Sequence, residues 1–370
     1  MNKFQLMVMA AFCMALSWSL YQATFNNFVG EELLISPTQL GAINSIREIP
    51  GLLALTLSAI LLYITENRMA AISLFILGIG FCGIAFSSSF YQLILPTLVM
   101  STGFHFFFPL RSSITIEVSK IGSRAENLGK VGSVEALAAL CAFGFVFAFV
   151  DALNYKGIFL AAGVAAFVGG SVLTPLREIK HPTERKHLIV KKKYSNYYFL
   201  EFFSGCRRHI FTTFAIFSLV VIHGLSVKYV TVLLTINNIA NLYTRTKIGK
   251  LIDRFGEKSM LTIAYVLLIF VFLGYAYLES IALLAILYCT DHVLFGVNIA
   301  FPSYLSKIAD EGDLAPSLAV GSTINHVAAI FVPVLGGIVW NLYGYEATFI
   351  SGAVLLLFSL FFAKRIEVGK

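Results

Sequence analysis

The chain is poor in charge. Only 13% of its 370 residues are Asp, Glu, Lys or Arg, against roughly 25% in soluble domains. A chain that is 58% hydrophobic and 14% aromatic cannot cover itself with polar surface, which excludes a soluble fold and points to a lipid bilayer. Polar stretches long enough for an appended soluble domain are missing. No phosphate-cradling Gly loop followed by Lys-Ser/Thr occurs, which excludes that route to ATP drive. No nucleophile elbow and no His-Glu-x-x-His pair occurs either. The five cysteines, Cys13, Cys82, Cys141, Cys206 and Cys289, all lie in apolar runs without metal-knuckle or disulfide spacing. No cofactor is expected. The first apolar run, to about residue 28, is too long for a cleavable signal core and is read as a retained first span.

What is present is a succession of apolar runs. A helix needs about 20 mostly apolar residues to cross a bilayer. Twelve such spans fit near 4–28, 39–64, 69–89, 91–117, 128–150, 156–175, 196–223, 227–252, 259–278, 281–307, 316–341 and 346–364. The chain also echoes itself at about half its length. Val131-Gly132-Ser133 returns as Val320-Gly321-Ser322, and Ile43-Asn44-Ser45-Ile46 as Ile236-Asn237-Asn238-Ile239. A hydrophobic chain built twice, head to tail, is a common plan for secondary transporters, whose solute site lies between the repeats. The expected division is a six-helix bundle over 1–175, a basic cytoplasmic linker over 176–195, and a second six-helix bundle over 196–370.

Charge placement gives the direction. The net charge is +7. With an inside N-terminus, the outer loops hold Lys228, with Lys156 at an edge. The inner loops hold Arg68, Lys120, Arg124, Lys250, Arg254, Lys258, Lys307 and the central set Arg177, Lys180, Arg185, Lys186, Lys191, Lys192 and Lys193. Basic residues collect on the cytoplasmic side. Both termini are therefore expected in the cytoplasm and the chain in the cell membrane. The central basic stretch reads as a linker and topology signal, not as a nucleic-acid-binding arm.

Residues 249–258 read Gly-Lys-Leu-Ile-Asp-Arg-Phe-Gly-Glu-Lys between spans eight and nine. This resembles the loop signature of the major facilitator superfamily, Gly-x-Leu-x-Asp-Arg-x-Gly-Arg/Lys-Arg/Lys. The resemblance implies an all-α integral membrane protein of twelve transmembrane helices in two pseudo-symmetric six-helix bundles, working by alternating access. It implies that Gly249, Asp253, Arg254 and Gly256 belong to a conformational lock, and that spans one, four, seven and ten line a central cavity. The copy expected after span two is eroded, with Leu62 and Tyr63 where Asp and Arg would stand.

Ionisable groups at membrane depth are costly, about 2.5–3.5 kcal/mol each on insertion scales, and mark functional or paired positions. Span seven carries Glu201, Cys206, Arg207, Arg208 and His209; span ten carries Asp291, His292 and Asn298; span four carries His105 and Arg111; span one carries Gln22 and Asn26. The expected solute site is Arg207, Arg208, His105, Gln22, Asn26, Asp291 and Asn298. Guanidinium suits a carboxylate or phosphate, so the expected solute is a small organic anion. Arg208 shares the Glu201 face and is read as the structural arginine, leaving Arg207 as the better ligand candidate. Internal pairing of Arg208 with Glu201 or Asp291 is the competing reading. Glu201, Asp291 and His292 are the candidates for proton coupling. Arg111 of span four and Glu135 of span five are read as a structural ion pair. The alternatives are a divalent metal exporter using Cys206, His209, Asp291 and His326, an exporter of drug-like solutes, a membrane-embedded enzyme and a transport-dead sensor. Expected partners are a small-molecule solute, a proton or other coupling ion and the lipid bilayer. Nucleic acid is not among them, and the chain is expected to be monomeric.

Overall fold

The computed structural model describes residues 2–53, 57–61, 63–176, 190–310 and 312–367. Among these, twelve long helices follow one another. They are α1 (Lys3–Asn27), α2 (Pro37–Leu53), α3 (Glu66–Ala85), α4 (Phe90–Glu117), α5 and α6 (the arms 124–153 and 155–173 of Arg124–Leu173), α7 (Ser195–Val221), α8 (Val227–Phe255), α9 (Glu257–Tyr277), α10 (Ile281–Phe295, continued after a 3₁₀ turn by Ala300–Ile308), α11 (Leu314–Tyr343) and α12 (Tyr345–Lys364). The break between α5 and α6 is Asn154, whose φ of 53° and ψ of 178° lie far from helical values. In α10 the 3₁₀ turn Gly296–Ile299 precedes Pro302, which has no N–H to give the carbonyl four residues back.

Nine of these helices lie in segments long and apolar enough to cross a membrane. The three that do not are α2, α7 and α8. They carry Arg47-Glu48, the Glu201/Arg207/Arg208 set, and Asn237 to Asn241. For α7 and α8 polar load inside the span separates them from the rest; α2 is described over only 17 residues.

Two compact units emerge, Met1–Leu34 with Ile46–Arg185 and Ser226–Thr235, and Ile35–Ser45 with Lys186–Leu225 and Ile236–Lys370. The first turns of α2 thus pack in the second unit and the first turns of α8 in the first. Linker residues 177–189, which include Arg177, Lys180, Arg185 and Lys186, lie outside the described residues, as does Leu62 of the eroded loop.

The first unit is built around α1, which packs on the α5–α6 arms, and α3, which packs on α4 and on those arms. Tyr21, Phe25, Phe28, Phe81 and Phe159 form its aromatic core. Helices α3 and α4 approach closely because position 103 is glycine; a Cβ there would lie 2.4 Å from the Ser73 carbonyl oxygen. Small residues are how helices in lipid gain contact. Ser17 Oγ on α1 donates to the Ala162 carbonyl at 2.6 Å. The second unit packs α7 against α11 and α12, and α9 against α12. Phe211 of α7 meets Phe272, Tyr275 and Tyr288, and Trp340 covers Phe214 and Phe217.

Candidate functional site

In the second unit, Nη1 of Arg207 donates to Oδ1 of Asp291 at 2.9 Å. Their side chains are 0% and 5% exposed. Adjacent residues on a helix point about 100° apart, so burying Arg207 turns Arg208 elsewhere. Arg208 is half-buried, lies near Glu201 and sits 4.9 Å from the centre of the Phe295 ring. Asn298 Nδ2 donates to Ser204 Oγ at 3.3 Å. His292 is held by the Tyr288 carbonyl, 3.0 Å from Nδ1.

This corrects the division expected for the two arginines. Arg207, the expected ligand arginine, is sealed against Asp291, and Arg208 keeps accessible surface. The sequence shows that the two diverge around α7; it does not show which direction points into the core. The rival metal set is not assembled. Among the described residues no three His, Cys, Asp or Glu groups stand close enough to hold a metal ion. Asp291 faces Arg207, Cys206 is buried, and His209 Nε2 lies 3.4 Å from Asn325 Oδ1.

The first unit holds a second polar group. Nε of Arg47 lies 3.6 Å from Oε1 of Glu48, and Nε2 of His105 lies 4.0 Å from Oε2 of Glu48. Trp18 stacks on Phe104 at 4.0 Å, and Phe104 meets His105 edge-on at 5.3 Å. Gln22 is exposed and Asn26 half-buried. Arg111 and Glu135 form an ion pair with Phe108 under the guanidinium.

At the loop between α8 and α9, Gly256 has φ +81°, which lets α9 start one residue after α8 ends. Asp253 and Arg254 are exposed, and Gly249 is half-buried. The contact that ties this corner down comes from the next acid. Glu257 is 3% exposed and accepts from Lys307 Nζ at 2.5 Å and Ser303 Oγ at 2.6 Å. The repeat could have flagged it, since Glu66 opens α3 191 positions earlier, close to the offset of the other echoes. A second anchor was not expected. Lys191 lies 2.5 Å from Asp313, Lys193 lies 2.5 Å from Asp310, and the buried Tyr194 donates to Asp313 at 2.7 Å. Only the tertiary fold brings the start of α7 to the turn before α11.

Residues 7–319 match the family model for the Major Facilitator Superfamily. The chain belongs to the major facilitator superfamily. An uncharacterised MFS-type transporter of Methanocaldococcus jannaschii is 33% identical over 114 residues, which cover 30% of this chain and 28% of the relative. A crystal structure of a mutant of the nucleoside transporter NupG superposes with a TM-score of 0.85 at 15% identity, covering 99% of this chain and 100% of that one. The human organic anion transporter MFSD10 gives 0.64 at 12% identity, over 97% and 98%. Membership makes the chain a multi-pass membrane transporter of a solute, not an enzyme.

Proposed function

We propose that this superfamily member is a secondary active transporter of a small organic anion, coupled to protons and working by alternating access between bundles 1–175 and 196–370. The observation that carries the solute class is Arg208. It is the arginine of α7 with accessible surface, over the Phe295 face, while Arg207 is neutralised by Asp291. Guanidinium offers a two-pronged grip that an ammonium lacks. A fold neighbour named as an organic anion transporter fits this reading. Within the second unit Asn298 joins Arg208 among the proposed solute contacts, with Glu201 and His292 as carboxylate and imidazole available to protons. Within the first unit the proposed contacts are His105, Gln22 and Asn26. The exposed Asp253 and Arg254 form their lock in another transport state than this one. Both termini face the cytoplasm, as the Lys/Arg asymmetry supports.

The test is uptake of labelled organic anions into proteoliposomes at fixed inside pH, with outside pH varied. Uptake should rise with an inward proton gradient. Arg208→Lys should weaken anion binding by roughly 1–3 kcal/mol at unchanged melting temperature, and Arg207→Lys should lower the melting temperature first. Full affinity in Arg208→Lys would overturn the anion reading. The pairing of Arg47, Arg111 and Arg207 with carboxylates favours, as a second reading, an uncharged solute such as a nucleoside, which the same assay would reveal.

A further inference from the structure

The first unit carries an ionisable cluster whose geometry suits proton binding. Glu48 stands between a permanent cation and an imidazole. Arg47 Nε is 3.6 Å from one carboxylate oxygen, and His105 Nε2 is 4.0 Å from the other. The two helices that present these groups are tied at that level. Ser101 Oγ, one turn before His105 on α4, donates to the Arg47 carbonyl on α2. Phe104 covers one side of His105 and is itself covered by Trp18. The cluster is not sealed. His105 and Glu48 keep 13% and 14% of their side-chain surface, whereas Arg207 keeps 0%.

The surrounding elements leave one titrating group near neutrality. On α1, Tyr21 lies beside Arg47 and Glu48, and a phenol ordinarily ionises only near pH 10. Helix α3 has no ionisable side chain between Arg68 and Cys82. On α5, Glu135 is engaged by Arg111 of α4. Among these groups only an imidazole ordinarily changes charge between about pH 5 and 8. With neutral imidazole the Arg47–Glu48–His105 set sums to zero. One proton makes it +1, and the nearby carboxylate offsets the cost of placing that charge at membrane depth.

We propose that His105, supported by Glu48, is a proton-binding site of the first unit, and that its protonation supplies the positive charge that an anionic solute then meets. The proposal rests on the proton-coupled reading above. It gives that reading a mechanism, because proton and anion bind best together when each compensates the other.

The proton itself is the probe. The chain has two tryptophans, so Trp340→Phe leaves Trp18, one ring away from His105, as the reporter. In purified protein without solute, Trp18 fluorescence should follow a one-proton titration within about pH 5–8. His105→Asn should abolish the titration. At the parent's midpoint pH, Glu48→Gln should show less than half the parent's change. Melting temperatures of each variant are recorded alongside. A folded His105→Asn protein with an unchanged curve overturns the proposal, as does a flat curve in the folded parent. Should His105→Asn lose its fold, Glu48→Gln decides, and an unchanged curve there overturns the proposal. The titration does not depend on transport. Titration without proton-driven flux keeps this site and sinks the coupling reading. Proton-driven flux without titration does the reverse.

Discussion

Both units hold arginine–carboxylate pairs within their helices, and Arg207–Asp291 of the second differs in exposure from Arg47–Glu48 of the first. Arg207–Asp291 is sealed, at 0% and 5%. Arg47–Glu48 is open, at 22% and 14%, and shares its carboxylate with His105. A pair without access to water or solute is not placed to exchange a proton or grip a ligand in this state, and the Arg207–Asp291 contact links α7 to α10. A pair with access can change charge. Exposure separates these two pairs, but it does not by itself mark a chemical role, since Arg111–Glu135 is exposed at 16% and 20% and still ties α4 to α5.

The largest effect that would break this comparison comes from the sealed pair. Asp291→Asn leaves a buried guanidinium uncompensated and should cost about 3–5 kcal/mol. The melting temperature in detergent should fall steeply. Arg207→Met combined with Asp291→Leu should recover most of the loss, because an apolar pair of similar volume needs no compensation. A single variant as stable as the parent would show that the pair is not sealed.

The next effect sharpens the contrast between the units at repeat-related corners. Glu257 receives charge-assisted hydrogen bonds from Lys307 and Ser303. Its counterpart Glu66 is buried, and its Oε2 has no hydrogen-bond partner among the described residues. Glu257→Gln should cost about 1.5–3 kcal/mol, the usual worth of bonds to a charged group, while Glu66→Gln should cost little or even stabilise. Equal losses would mean that the two corners are equivalent after all.

Glu48→Gln should cost less, about 1 kcal/mol or under, because a partly exposed pair is worth little. Its effect should appear in the proton titration instead. A melting loss as large as that of Asp291→Asn would erase the distinction between open and sealed pairs.

The smallest effect belongs to the anchor at the start of α7, whose lysines are exposed. The hydrogen bond from Lys191, then that from Tyr194, holds the Asp313 carboxyl below its ordinary value, and Lys193 does the same for Asp310. Because the folded-state values are depressed, the stabilisation is present above the ordinary carboxylate value of about 3.9. It is lost as pH falls through the folded values. Hydrogen exchange at 191–196, corrected for intrinsic rates, should be flat between about pH 5 and 8 and accelerate below about pH 4. Acceleration already near pH 6 would show that another group controls the anchor.

Much of the fold was legible because the bilayer imposes a length and a composition on every span. The Gly249–Lys258 signature named the superfamily through its spacing. The Arg111–Glu135 pair was legible too, since both residues sit in the inner halves of neighbouring spans. The roles of Arg207 and Arg208 were not. A step of one residue turns a side chain by about 100°, and only neighbouring helices decide which direction is core. Glu257 was missed because its partners, Ser303 and Lys307, are 46 and 50 positions away on the far end of α10. The Asp310–Asp313 anchor was missed for the same reason.

The sequence by itself determined the solvent, the helical class and the twelve-span plan, because each follows from local hydrophobicity and periodicity. It also determined which helices carry polar load. The tertiary structure alone decided which of those polar groups are shut away and which stay reachable. Burial depends on packing between helices distant in the chain, and pairing on distances of a few ångströms that no local pattern encodes.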